Sequence, residues 1–247
     1  MGYPFSNCTV SNSVSGCESA QFLSGGLKQF DICLLVETAG VMIAAILAVG
    51  VFSASSISWA AWLGPPAILV AAALLPMAIR KEPFPKIGLN REQARLTVVM
   101  VCWTCVVIFP ILFIGMWWLK SCGLGLPLPP VLPRGQGWIC WLFYQFMYVA
   151  AAEEVFFRGY VQNNVLELLT KIMGQRPRLH RWTGIAISAA CFAATHIIVY
   201  GKITFVLTFL PGLVLGWLFI RTKSLLAPIL FHGLANTCYC IMAAALA

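Results

Sequence analysis

The stretch GWICWLFYQFMYVAAAEEVFFRGYV, residues 137–161, ends a long apolar run with two adjacent carboxylates, Glu153 and Glu154. The chain of 247 residues contains only eight acidic residues, so placing two of them side by side here needs a physical reason. An apolar run of about 20 residues is what an α-helix needs to cross the hydrocarbon core of a bilayer. The stretch therefore predicts a membrane helix that carries an acidic pair toward one end.

The composition extends this prediction to the whole chain. Hydrophobic residues make up 60% of it and charged residues only 10%, against roughly 25% charged in a soluble domain. We therefore predict an all-α, polytopic transmembrane bundle of about seven spans. Their expected ranges are 32–52, 57–79, 97–119, 137–157, 183–200, 203–220 and 224–246.

Two of these spans carry more specific expectations. Pro65 and Pro66 fall inside the second span and should kink or break it, because proline lacks the N–H that the helix ladder uses. The fourth span is followed by GYVQNNVLELLTKI, residues 159–172, which keeps a helical pattern. The fourth helix is therefore expected to continue past the bilayer.

Three parts of the chain follow from this division. Residues 1–31 form a polar leader without the basic start, apolar core and cleavage site of a signal peptide, and Gly2 and Ser6 fit the spacing of an N-myristoylation signal. Residues 32–136 hold the N-terminal transmembrane helices. Residues 137–247 hold the core that carries the chemistry described below.

The distribution of Lys and Arg predicts the orientation. The net charge is +8, and the loops 80–96 and 158–182 carry five basic residues each. Basic loops between apolar spans mark the cytoplasmic side of a membrane protein and its contact with lipid headgroups. We expect a multi-pass integral membrane protein with a cytoplasmic N-terminus and no nucleic-acid partner.

The ten cysteines give no metal signature. Cys102 and Cys105 form a CxxC, but no second pair with zinc-like spacing follows. Cysteines inside the spans are expected to behave as small apolar residues. Cys8 and Cys17 in the leader could pair in an oxidising compartment.

The acidic pair has a built-in asymmetry. Arg158 follows Glu154 by four residues, the favourable order for an ion pair on one helix face. Glu153 points about 100° away around the helix and lacks that partner. We expect Arg158 to hold Glu154 and Glu153 to be free to handle a proton, although a purely structural ion cluster would also account for these three residues.

Two later helices supply further polar groups. His196 lies in CFAATHIIVY with Phe192 one turn before it, and His232 lies in LFHGLANT with Asn236 one turn after it. Polar side chains in a membrane bundle face inward, because a charge at the bilayer centre costs about 2.5–3.5 kcal/mol. We therefore expect these groups to converge with the acidic pair.

Convergence sets a geometric condition. Counted from the predicted span ends, His196 lies about 20 Å and His232 about 12 Å from the cytoplasmic side, with Glu153 shallower still. The groups can meet only if the helices tilt, if the fifth helix starts later, or if a water-filled cavity reaches into the bilayer.

The chemistry of such a cluster is hydrolytic. A carboxylate and a histidine around one water can remove its proton, and a His–Asn pair can donate hydrogen bonds to a developing oxyanion. Glu and two His also match a catalytic zinc site in residue type, although no HExxH is present. Metal-free activation of water, with no cofactor, and metal-assisted hydrolysis both remain open at this point.

Together the three segments resemble the CPBP family of intramembrane proteases, which includes the CaaX prenyl endopeptidases and the bacteriocin-processing (Abi) proteins. The family pattern EExxxR, FxxxH and HxxxN appears complete and in order, as Glu153-Glu154 to Arg158, Phe192 to His196, and His232 to Asn236. The resemblance covers about residues 137–240.

The resemblance implies a glutamate-dependent intramembrane endopeptidase. Carried over by position, Glu153 and His196 would activate the water, and His232 and Asn236 would stabilise the oxyanion. Glu154, Arg158 and Phe192 would support the site, with no metal ligand among them. The implied substrate is a membrane-associated protein or peptide with a C-terminal processing signal, with or without a lipid.

Two other functions remain as alternatives. A non-enzymatic immunity or scaffold protein of the same family would use the polar cluster for packing. A proton-coupled transporter would also use a carboxylate pair, but it usually shows two related halves with broken helices, which this chain lacks.

Two smaller predictions concern packing and solvation. Gly212 and Gly216 have a small-xxx-small spacing that indicates close helix packing, most simply inside the monomer. His180, in the basic stretch RPRLHRW, is expected to be solvated.

Overall fold

The computed structural model describes residues 29–81, 94–123, 137–173 and 177–246, and within these ranges every regular element is helical. We number seven helices. Five are regular: α1 Gln29–Ser53, α2 Ser58–Ile79, α3 Ala94–Ser121, α5 Pro177–Tyr200 and α7 Leu226–Leu246. The sixth, α6, begins with a 3₁₀ segment, Ile203–Thr208, and continues as Phe209–Thr222.

Helix α4 is built differently from the others. It runs from Trp138–Phe143 to Asn163–Met173 without interruption, but it contains two π-helical segments, Tyr144–Ala150 and Val155–Gln162, on either side of the acidic pair. The prediction that the fourth helix extends beyond residue 157 is therefore confirmed. π-Helical turns within α-helices occur frequently at functional sites.

The predicted all-α polytopic bundle is confirmed. Six of the described helices are long and apolar enough to cross a membrane, namely α1, α2, α3, α5, α6 with its 3₁₀ start, and α7. The cytoplasmic location of the N-terminus stays a prediction. The leader, with Gly2, Ser6, Cys8 and Cys17, lies outside the described residues, and the proposed division of the chain into three parts stays a prediction.

The bundle is arranged around α4. Its middle section is almost completely buried, with Ala150, Phe156, Phe157 and Tyr160 at 1% exposure or less. The outer helices instead expose many large apolar side chains, including Trp103 and Val106 on α3. Apolar residues outside and polar residues inside are what a bundle surrounded by lipid requires.

Helix α2 corrects one expectation. It runs unbroken over Ser58–Ile79 with Pro65, Pro66 and Pro76 inside it, so of the predicted kink or break, the break does not occur. In a membrane bundle, helix-breaking prolines are tolerated because neighbouring groups and local adjustments satisfy the freed backbone carbonyls. The hydroxyls of Tyr144 and Tyr148 donate to the carbonyls of Trp62 and Leu63, 3.0 and 2.9 Å away, near the prolines.

A second polar cluster fastens α4 to the first two helices. Arg80 at the end of α2 pairs with Glu37 of α1 at 3.0 Å, and Tyr160 of α4 donates to the same carboxylate at 2.9 Å. Farther along α4, Asn164 accepts from Arg80 at 3.3 Å and donates to Thr38 at 3.0 Å. These contacts hold the N-terminal helices against the helix that bears the acidic pair.

The C-terminal end of α4 is joined to α1 by a more exposed ion pair. Lys171 donates to Asp31 of α1 at 2.8 Å and to Glu167 at 3.2 Å. The hydrogen bond to Asp31 raises the pKa of Lys171 above its ordinary value. The ammonium therefore stays charged throughout the physiological range.

The structure also shows where His180 and the cysteines lie. His180 is buried rather than solvated, at 9% exposure, because α5 begins at Pro177 and includes this histidine on an inward face. The eight cysteines of the described ranges are all free, Cys102 and Cys105 among them.

The small-xxx-small pair packs inside the monomer, as predicted. A Cβ added to Gly212 would lie 3.0 Å from the Cβ and 3.1 Å from the Cα of Ala189 on α5. At Gly216 it would lie 2.8 Å from Gln162 Oε1 and 3.0 Å from Ile185 Cγ2. The two glycines therefore allow α6 to approach α5 and α4 at backbone distance.

We predict that Gly212→Ala destabilises the protein by about 1–3 kcal/mol, the usual cost of overpacking, because the new methyl group meets backbone as well as a side chain. Thermal unfolding in detergent micelles measures the effect. Gly115→Ala on α3 is the matched control, since nothing lies within 4 Å of its added Cβ. The control should be neutral or slightly stabilising, and equal losses in both variants would contradict the packing argument.

Candidate functional site

The buried ion pair between Glu154 and Arg158 forms the base of the site. Arg158 Nη1 donates to Glu154 Oε1 at 3.1 Å, and both side chains are completely buried. Arg158 Nη2 donates to the carbonyl of Gly212 on α6 at 3.1 Å, and the guanidinium lies 4.7 Å from the centroid of the Phe192 ring. The predicted pairing of Glu154 with Arg158 is thus present, and it links α4, α5 and α6.

His232 of α7 also contacts Glu154. Its Nδ1 lies 2.7 Å from Glu154 Oε1. An ionised carboxylate accepts hydrogen bonds but cannot donate them, so Nδ1 of His232 carries the proton of this contact. The Nε2 atom of the ring then points away from Glu154. Glu154 therefore receives hydrogen bonds from both Arg158 and His232.

Glu153 faces both histidines. Its Oε2 lies 3.7 Å from His232 Nε2 and 4.0 Å from His196 Nε2. These separations are longer than a direct hydrogen bond and match the span that one bridging water can join. Oε2 is buried, and among the described residues it has no hydrogen-bond partner.

Helix α5 fixes the orientation of His196. Its Nδ1 lies 2.9 Å from the carbonyl of Phe192 one turn earlier. A carbonyl only accepts, so Nδ1 donates, and the neutral ring presents a lone pair on Nε2 toward Glu153. The rings of Phe192 and Phe205 flank the imidazole, with centroids at 4.4 and 6.1 Å.

Asn236 lies one turn beyond His232 on α7. Its Nδ2 donates to Gln145 Oε1 on α4 at 3.2 Å. Asn236 is half-buried, and its amide carries a second N–H beyond the one that Gln145 accepts.

Gln145 is a polar neighbour that the sequence analysis missed. It is the only amide in the apolar run 138–152, and that isolation was the signal available. The carbonyl of Gly212 was also missed, because a backbone acceptor leaves no trace in the residue pattern.

The structure brings the predicted residues together by a route that differs from the predicted depths. Helix α5 starts at Pro177, earlier than the predicted 183, so the later start does not occur. Glu153 lies near the middle of the long α4, whereas His196 lies four residues before the end of α5 and His232 lies six residues after the start of α7. The helices are therefore staggered along the bundle, and counting from span ends gives depths that do not apply.

The described residues contain no group of three or more His, Cys, Asp or Glu side chains arranged to hold a metal ion. Glu154, which could complete a set with Glu153 and the histidines, is already bound to Arg158.

We predict that Glu154→Gln removes about 3–5 kcal/mol of stability, because it leaves the Arg158 charge buried without its partner. Glu167→Gln is the matched control: Glu167 pairs with Lys171 at the same i,i+4 spacing, and both side chains are 38% exposed. An exposed pair contributes about 0–1 kcal/mol. Thermal unfolding of the two variants measures the difference, and similar midpoints would show that burial of the pair does not matter.

A protein-family model matches part of this chain. Residues 135–238 match the family model described as Type II CAAX prenyl endopeptidase Rce1-like. The matched segment contains every predicted site residue, from Glu153 to Asn236, as well as Gln145 and Gly212. Comparisons with curated proteins and with solved structures find no match to this chain. The resemblance predicted from the sequence is thus confirmed, and over residues 135–238 this chain is similar to the CAAX-type intramembrane proteases of the CPBP family.

Proposed function

We propose that this protein is a glutamate-dependent intramembrane endopeptidase that cleaves a peptide bond near the C-terminal tail of a membrane-associated substrate. The observation that carries the proposal is the position of Glu153. The hydrogen bonds that tie the buried cluster together, from Arg158 and His232, go to Glu154, so an ion pair for stability alone needs Glu154 but not Glu153. Glu153 Oε2, like Glu154 Oε2, is buried without a hydrogen-bond partner among the described residues, but Glu153 Oε2 also faces the Nε2 atoms of His232 and His196, at 3.7 and 4.0 Å.

In this mechanism Glu153 and His196 activate the nucleophile. A water hydrogen-bonded between Glu153 Oε2 and His196 Nε2 gives a proton to one of these acceptors as its oxygen attacks the scissile carbonyl carbon. The carbonyl π bond opens to an oxyanion. When the tetrahedral intermediate collapses, the C–N bond breaks and the same proton passes to the leaving amine, so the site returns to its starting state.

His232 and Asn236 are the oxyanion donors. Glu154 accepts from the Nδ1–H of His232 and so fixes the direction in which Nε2 points. In this mechanism the His232 ring is doubly protonated, and its Nε2–H points toward the reacting atoms. Asn236 gives one N–H to Gln145 and has a second for the substrate. The charges then balance, with Glu153 and Glu154 opposed by Arg158 and His232.

Glu154, Arg158 and Phe192 act through other residues. Glu154 and Arg158 hold the His232 ring, and the Phe192 carbonyl and ring hold His196. The family match supports a CaaX-type tail as substrate, with or without a prenyl group. The competing proposal, an immunity or scaffold protein, relies on the same buried cluster for stability alone.

We predict that Glu153→Gln lowers the rate of tail cleavage at least about 100-fold, the scale of a lost general base, while the protein stays folded. The assay uses the full chain in lipid vesicles, quenched fluorescent CaaX peptides with and without a farnesyl group, and mass spectrometry to locate the cleaved bond. Glu154→Gln is the contrast, because it should lose stability as well as activity. Comparing tail lengths of cellular proteins with and without this gene extends the assay to native substrates.

The scaffold proposal makes the opposite prediction. If the wild-type protein cleaves no tail, or if Glu153→Gln unfolds the bundle as Glu154→Gln does, the polar cluster is structural and the protease proposal fails.

We also predict that cleavage survives chelation within about twofold, because the proposed nucleophile needs no metal to lower its pKa. The measurement is cleavage of the same peptides after prolonged dialysis against EDTA and then 1,10-phenanthroline. Loss of activity that Zn²⁺ restores would favour metal-assisted hydrolysis by the same residues.

A further inference from the structure

An apolar groove runs along the lipid-facing side of the bundle, away from the acidic pair. It lies between α3, α5 and α6 and has a volume of about 400 Å³. Three tryptophans line it, Trp103 from α3, Trp182 from α5 and Trp217 from α6, together with Val107 and Val214. Trp103 and Trp182 are 66% and 58% exposed, so the walls of the groove are open to the surrounding lipid.

Trp182 and Trp217 lie near the same end of the bundle. Trp182 is five residues after the start of α5 at Pro177, and Trp217 is five residues before the end of α6 at Thr222. Helices α5 and α6 are antiparallel neighbours, so these two ends lie together. Tryptophan favours the level of the lipid headgroups, where its ring is buried and its N–H meets polar groups.

Two arginines lie one turn farther toward that end. Arg178 precedes Trp182 by four residues, and Arg221 follows Trp217 by four, so each shares a helix face with a tryptophan of the groove. The contacts of Gly212 with Ala189 and of Gly216 with Ile185 set the register of α5 against α6. If the two helices keep this register for one more turn, Arg221 of α6 lies level with residue 180 of α5. Arg221 is then close to Arg178.

Both guanidinium groups are available to a ligand. Arg178 and Arg221 are exposed, and neither forms an ion pair with a carboxylate among the described residues. The groove therefore has apolar walls, tryptophan rings near one end, and two positive charges beyond the tryptophans at that end. A phosphodiester headgroup with an acyl chain matches this order of chemistry, because basic sites between membrane helices bind anionic headgroups.

We propose that this groove binds one anionic phospholipid, with its phosphate between Arg178 and Arg221 and an acyl chain along Trp182, Trp217 and Val214. Charge complementarity selects an anionic lipid over a zwitterionic one. A bound lipid here would join α3 to the α5–α6 pair, and α6 supplies the Gly212 carbonyl that Arg158 contacts.

The test uses the full chain, purified in detergent and delipidated, and native mass spectrometry with dioleoyl phosphatidylglycerol or dioleoyl phosphatidylcholine as the probe. We expect one phosphatidylglycerol per chain, bound at least about tenfold more tightly than phosphatidylcholine. The double variant Arg178→Gln/Arg221→Gln should lose that preference, and Val214→Trp, which fills the groove, should weaken both lipids. Lys202→Gln, at the opposite end of the α5–α6 pair, is the matched control and should bind as the wild type does.

Several outcomes would overturn the proposal. Equal binding of the two lipids, or unchanged preference in the double arginine variant, would mean that the groove holds ordinary surrounding lipid. If Val214→Trp weakens lipid binding and the double arginine variant does not, the groove binds a purely apolar occupant. Competitive displacement of phosphatidylglycerol by a farnesylated CaaX peptide would assign the groove to the substrate. Thermal unfolding without added lipid confirms that each variant is folded.

Discussion

The buried carboxylate of Glu154 is the constraint on which the rest of the site depends. It accepts hydrogen bonds from Arg158 at 3.1 Å and from His232 at 2.7 Å, and Arg158 continues to the carbonyl of Gly212. Three groups on three helices, Arg158 on α4, the Gly212 carbonyl on α6 and His232 on α7, are thereby fixed around one anion. The cost of burying that charge is offset because the guanidinium of Arg158 and the imidazole of His232 both donate to it.

This anion also gives the two adjacent carboxylates different roles. Glu154 Oε1 is contacted by Arg158 and His232, whereas Glu153 points in another direction around α4 and its Oε2 faces the Nε2 atoms of His232 and His196. The His232 ring contacts both carboxylates, since its Nδ1 lies against Glu154 and its Nε2 faces Glu153. The rigid base of the site therefore orients the group closest to the proposed chemistry.

The motifs and much of the architecture could be predicted from the sequence, because both depend on local patterns. Apolar run length identified the helices, and the i,i+4 spacing identified the Glu154–Arg158 pair, which the structure contains. The predictions failed where the outcome depends on neighbours. Pro65 and Pro66 lie within an unbroken helix because other helices support α2, and His180 is buried because α5 begins earlier than hydropathy indicates.

By itself the sequence determined which residues are polar in an otherwise apolar chain, and the cost of burying charge required them to face one another. Only the tertiary structure decided how they meet. The stagger of α4, α5 and α7 brings His196 and His232 each to within 4.0 Å of Glu153, although the three residues lie at different positions along their helices. Helix stagger follows from close contacts such as that of Gly212 with Ala189, and the shapes that pack there are distant in sequence and leave no periodic pattern.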